Sequence, residues 1–257
     1  MSYQQQHNKA SVLVDTAGID GVEPSSGPSS PLASSESSSS TARDPHTIPV
    51  FSKTSAPRRP ILYLPPLLSS LPHEHEYGHD HQHGSDSPVV HTSTRLPDID
   101  PASLSLHKAL HGFSPATERY ADTAYADAFN WDELALPEDE EREWYCVAFR
   151  SKRLAGSENE PLYDADRLAH EEAIRNGGLI LYWYGTPDPE TGLNLATCIW
   201  QSRAHAVAAN SRPHHIKAMR LAAASYERYD LERWRLVKER GSRQVKVETY
   251  NGGEVGW

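Results

Sequence analysis

The chain has 257 residues, 37% of them hydrophobic, and a formal net charge of −10. That length fits one domain with a long tail or two small domains. Two cysteines exclude a disulfide framework, and the acidic balance argues against a dedicated nucleic-acid binder. The longest apolar runs, near Ile61–Leu64 and Leu179–Tyr184, fall far short of the roughly 20 residues of a membrane span. The N-terminus lacks a basic region followed by an apolar core, so no secretory signal is expected.

Residues 25–40 hold ten serines in sixteen positions, with Pro28 and Pro31 among them. Such a stretch cannot bury enough apolar surface to offset its chain entropy, and residues 1–57 are expected to form a disordered tail. Arg58–Pro72 is apolar but broken by Pro60, Pro65, Pro66 and Pro72, which forbids a regular helix. It suits an extended strip or edge strand docked on the folded domain, or else a linear motif in a loose tail. His73–His83 then places five histidines in eleven residues. Imidazoles at that density can chelate zinc, copper or nickel. Their spacing matches no closed structural site, so a solvated loop is the expectation and no metal ligand is assigned.

Asp100-Pro101 ahead of Leu104, Leu106 and Leu110 reads as a capped short helix. Residues 120–136 are rich in alanine and aromatics and read as a helix laying Tyr125, Phe129 and Trp131 on the main body. Residues 58–137 are thus expected to wrap a domain that occupies 138–257.

That domain has a clear order. Glu143–Ser151 is a strand with Trp144, Cys146 and Ala148 on one face and Tyr145, Val147 and Phe149 on the other. Both faces are apolar, which places it centrally. Leu162–Asn176 is a helix whose stripe comprises Leu162, Ala165, Leu168, Ala169 and Ala173, stopped by Gly177-Gly178. Leu179–Tyr184 and Leu193–Trp200 are hairpin strands joined through the Thr186–Gly192 turn. Ser202–Asn210 is a short helix, and Pro213 opens a longer one running to about Tyr229, with Ile216, Met219, Ala223 and Tyr226 on one face. Leu231–Glu239 and Gln244–Tyr250 close the series as strands. The order βαββαβ predicts an α+β fold of ferredoxin-like type, an antiparallel sheet with helices on one face. Its second face needs cover, either from residues 58–136 or from a homodimer formed through the sheet face.

Tyr182, Trp183 and Tyr184 beside Trp200 form an aromatic wall, read as core, dimer interface or the side of a pocket for a flat ligand. Asp166 and His170, four apart on one helical face, can hydrogen-bond or share a metal, and read as a helix-surface pair. Cys146 and Cys198 read as buried strand residues without an activating setting.

The stretch Cys198-Ile-Trp-Gln-Ser-Arg-Ala-His205 followed by Arg212-Pro-His-His215-Ile-Lys-Ala-Met219 resembles the dimeric α+β-barrel superfamily of the antibiotic-biosynthesis-monooxygenase type. More closely, the segments WYCVAFRSKR, LAHEEA, YWYGTPDP, CIWQSRAHA and NGGEVGW look like a fungal family of conserved uncharacterised proteins. That closer likeness implies a cytosolic fungal protein, cytoplasmic or also nuclear, and brings no known activity. The superfamily likeness implies a pocket between sheet and helices near the start of the second helix, where cofactor-free oxygenases and haem-degrading members work. Arg212, His214 and His215 occupy those positions here. His214 or His215 would be the catalytic base or haem ligand, or would simply cap and pack. Arg203 and Arg212 would clamp an anionic group, and His205 would hydrogen-bond within the short helix.

Three functions follow. The first is a small-molecule binder or cofactor-free oxygenase or isomerase acting on an apolar or aromatic ligand, with Tyr182, Tyr184, Trp200, Arg203 and Arg212 binding it. No cofactor class is singled out. The second is a non-enzymatic protein-interaction scaffold working through the tail and sheet face. The third is an RNA-binding module, supported by eleven Lys/Arg against five Asp/Glu in residues 201–250. Its weakness is a third strand without the basic-glycine-aromatic pattern that stacks bases.

Overall fold

The computed structural model describes residues 43–50, 59–67, 99–155 and 160–256. The serine tract 25–40, the histidine tract 73–83 and Trp257 lie outside them.

Six antiparallel strands form one sheet: β1 (Ile61–Tyr63), β2 (Arg142–Arg153), β3 (Leu179–Tyr184), β4 (Leu193–Trp200), β5 (Tyr226–Lys238) and β6 (Val245–Thr249), in spatial order β1-β3-β4-β2-β5-β6. β2 lies centrally, pairing with β4 from Tyr145↔Trp200 to Lys152↔Leu193 and with β5 along its whole length. Alternation in β2 sorts its side chains onto two apolar faces. In β3, Leu179 pairs with Trp200 and Leu181 with Ile199, so Ile180 is the extra residue of a bulge. That extra residue lets Ile180 and Leu181 both join the face of Trp144 and Cys146.

This face is covered by the chain's own residues 99–136. Helix α1 (Pro101–Ala109) starts at Asp100, whose side chain accepts from the Ser103 amide, and it buries Leu106. Leu110, Phe113, Tyr120, Tyr125, Phe129 and Trp131 continue the cover. Polar anchors fix it. The fully buried Trp144 Nε1 donates to Ser103 Oγ at 2.9 Å. Arg150 donates to the carbonyls of Ala121 and Thr123, both at 2.6 Å, and pairs with Glu232. Thr197 Oγ1 donates to the Val147 carbonyl and so accepts from the Tyr125 hydroxyl, 2.6 Å away.

The helix expected over 120–136 is absent. Two short 3-10 turns, Tyr125–Asp127 and Trp131–Glu133, stand there instead. Asn130 breaks the helical ladder: its side chain accepts from the Ser114 amide and donates to the Gly112 carbonyl. Burial of three aromatics then outweighs alanine's helix propensity.

The opposite face carries α2 (Glu160–Asn176), α3 (Arg203–Asn210) and α4 (Pro213–Ser225). Gly177 and Gly178 end α2 with φ near +80°. Gly178 also has no room for a side chain, since a Cβ there would lie 2.2 Å from His205 Cγ. α4 stops at Ser225, four residues short of the expected end, and β5 begins at once with Tyr226. The cause is β2, whose Arg153 and Lys152 pair with Tyr226 and Arg228 and draw that aromatic segment into the sheet. The expected α4 stripe also shifts. Ala218 and Ala222 are the buried positions, whereas Ala223 is exposed. Small residues let α4 approach Leu162, Ala165 and Ala169 of α2 closely, so α4 rests on α2 more than on the sheet.

Candidate functional site

A cavity of about 1040 Å³ lies between the helices and the sheet. Its floor is Tyr145, Val147 and Phe149 of β2 with Cys198 and Trp200 of β4; α2 contributes His170 and α4 contributes His215 and Met219. Arg203 and Arg233 also line it. Arg203 is held by Glu254 at 2.9 Å, and no ion pair involves Arg233 among the described residues.

The chemistry of the cavity centres on α2. Asp166 is 1% exposed and His170 is 7% exposed, so the pair is buried and not a surface pair. His170 Nδ1 sits 2.9 Å from the Asp166 carbonyl and 3.1 Å from its carboxylate. Both partners accept, so Nδ1 carries a hydrogen and Nε2 is the free end of the ring. Burial works against a charged imidazole, but the Asp166 carboxylate and these hydrogen bonds outweigh it and hold the His170 pKa above its ordinary value. The ring stands edge-on to Tyr182, with centroids 4.4 Å apart, and Tyr182 packs against Tyr184 at the same spacing.

His215 behaves oppositely. Its amide donates to Glu172 Oε2, tying the start of α4 to α2. Burial, with the neighbouring His170 charge, pushes its pKa down to about 4 against the pull of Asp166 and the Ala169 carbonyl. Its Nδ1 is buried without a hydrogen-bond partner among the described residues. Asp166 Oδ1 and the hydroxyls of Tyr182 and Tyr229 share that condition. Buried polar atoms normally find partners, and here three unpaired ones lie within reach of a carboxylate with an unpaired oxygen of its own, whose charge reaches both tyrosines and His215.

Of the residues singled out from sequence, His215, Tyr182, Trp200 and Arg203 line the cavity together. Tyr184 is buried behind Tyr182, and His214 lies outside the lining. Arg212, at the N-cap of α4, turns its guanidinium to Asn176 Oδ1 with two 3.3 Å hydrogen bonds and does not line the cavity. His205 Nδ1 meets Ser202 Oγ at 2.7 Å, as part of the cap of α3. Both cysteines are free and buried; burial raises Cys146, and Cys198 reaches about 12. Asp166 and His170 form the buried pair that reading the sequence placed on the surface.

Comparison with known proteins adds a family. The PB2B2.08-like family matches residues 86–249, the span that contains the helix layer and nearly the whole sheet. The chain belongs to that family. A curated relative, UPF0643 protein PB2B2.08 of the fission yeast Schizosaccharomyces pombe, is 32% identical over 157 residues, covering 54% of this chain and 71% of the relative. No solved structure matches. This family member therefore has an uncharacterised, conserved fungal relative, and its cavity has to be read from its own residues. Among the described residues no helix is long and apolar enough to cross a membrane.

Proposed function

We propose that the protein binds a small, flat, partly apolar carbonyl compound in the cavity and moves a proton on it without a cofactor, as an isomerase of ferredoxin-like α+β architecture. The observation that carries the reading is the meeting of two unlike histidines in one cavity. One is buried and held by Asp166; the other presents an unpaired Nδ1. An acid and a base whose environments drive their pKa values apart are what proton shuttling requires at neutral pH. His215 Nδ1 takes a proton from carbon beside the carbonyl, and protonated His170 supplies one to the oxygen through Nε2. Electrons only shift within the substrate, so no oxidant is needed. Tyr182 and Trp200 suit a planar ring. The ferredoxin-like reading is supported by the succession β5-β2-β4-β3 at the centre of the sheet, with β1 and β6 as additions at its edges.

The test is deuterium incorporation from D2O into aryl 1,3-dicarbonyl compounds, followed by NMR alongside their binding. Wild-type protein should bind members of the panel and exchange their carbon-bound proton; His215→Gln should bind but not exchange, and His214→Gln should do both. Absence of binding across the panel, or exchange untouched by His215→Gln, overturns the proposal.

A further inference from the structure

On the outer side of the wrap, far from the cavity lining, three histidines meet. His46 comes from the segment 43–50, His107 from α1 and His111 from the turn that follows it. Their ring centroids are 5.2, 5.6 and 6.0 Å apart. His46 Nδ1 lies 2.9 Å from the Leu64 carbonyl, and His111 Nδ1 lies 3.1 Å from the carbonyls of His107 and Lys108. A carbonyl oxygen only accepts, so both Nδ1 atoms carry hydrogen. In the neutral rings each Nε2 is then a bare lone pair. The two Nε2 atoms nevertheless face each other at 3.2 Å. Two lone pairs so placed repel unless a cation lies between them.

We propose that His46 and His111 bind a divalent transition metal through their Nε2 atoms, with Zn²⁺ the representative ion. Zinc–imidazole bonds of about 2.0–2.1 Å at a tetrahedral angle separate two ligand nitrogens by about 3.3 Å, close to the spacing found here. Ligating histidines also donate their other ring nitrogen to a carbonyl or carboxylate, which fixes the tautomer; both rings are already held in that way. His107 packs beside the pair as a wall, its Nε2 on the Pro65 carbonyl at 3.1 Å and so apart from the facing Nε2 atoms of His46 and His111. Among the described residues no group of three or more His, Cys, Asp or Glu is placed to hold a metal. Water therefore completes the coordination, and the site is an exchangeable two-point clasp that ties the segment 43–50 to the end of α1.

The full chain should be titrated with ZnCl₂ by calorimetry at pH 7.5. The histidines of residues 73–83 are a second source of imidazole that can chelate zinc, so the difference between variants is the readout. His46→Gln and His111→Gln should each lower the stoichiometry by one equivalent. In long-range ¹H–¹⁵N spectra of wild type, the Nε2 signals of both rings should move on zinc addition while Nδ1 stays protonated. Equal stoichiometry in wild type and both variants overturns the proposal. So does a ring pair that titrates as a shared-proton unit while zinc leaves its signals in place.

Discussion

Replacing His215 by Gln should flatten the acid side of the stability curve. In the folded protein His215 resists protonation down to about pH 4, because burial and the His170 charge oppose a second cation. In the unfolded chain an ordinary histidine takes its proton near pH 6.5. The folded state thus binds fewer protons, and its stability is full above pH 6.5 and falls as the pH drops toward 4. The whole effect is about 3 kcal/mol, of which about 2 kcal/mol appears between pH 7.5 and 5. His170 acts with the opposite sign: its raised pKa adds stability below pH 6.5 that is lost as the pH rises through its folded value. Wild type alone therefore mixes two opposed contributions, and the variant separates them. Urea unfolding followed by tryptophan fluorescence at pH 7.5 and 5.0 measures both proteins. His215→Gln should lose about 2 kcal/mol less than wild type over that interval. An identical loss in the two proteins would refute a neutral, desolvated His215, and with it the assignment of His215 as base.

Three further outcomes follow from the packing. Asp166→Asn should cost about 3–5 kcal/mol in urea unfolding at pH 7, since it strips a buried imidazole of its counter-charge, and ring ¹⁵N shifts should report a fall in the His170 pKa. Gly178→Ala should cost more than about 2 kcal/mol, read as a fall in Tm, because a positive φ and a collision with His205 act together; the Ser202 hydrogen bond prevents that ring from swinging away. Ser103→Ala should cost about 1–3 kcal/mol by leaving the buried Trp144 indole N–H without an acceptor, and Ser103→Thr should recover much of it.

Strands β2, β3 and β4 and helices α2 and α3 were legible because each carries its own periodicity. Both hairpin strands, Leu179–Tyr184 and Leu193–Trp200, have the bounds that their apolar runs and the intervening turn residues imply. The α4–β5 junction was not, because what ends α4 is pairing with Lys152 and Arg153, more than seventy residues earlier in the chain. The region 120–136 failed similarly: its local composition favours a helix, while its aromatics are claimed by a sheet face built later in the sequence. In the site, Tyr182, Trp200 and His215 could be picked out, but strand alternation turns Trp183 of the expected aromatic wall to the opposite face with Trp144. Asp166 and His170 were misplaced although a signal existed. Leu162, Ala165, Ala169 and Ala173 define a buried stripe, and positions 166 and 170 fall inside it at helical spacing. A charged pair within an alanine stripe is a buried pair, and a surface reading ignores that.

The wrap over the rear of the sheet has a mechanical consequence for whatever enters the front. Trp144 and Arg150 of β2 and Thr197 of β4 are bolted to residues 99–136 by hydrogen bonds. The floor of the cavity is therefore stiff, and accommodation of guests of different size falls to α3 and α4, the roof, which meet through the short link Ser211–Arg212. Because α4 continues into β5 without a loop, its C-terminal end is tethered to a strand that is paired with β2 throughout. Room for a larger guest is therefore made at the α3 end of the roof and not at the β5 end.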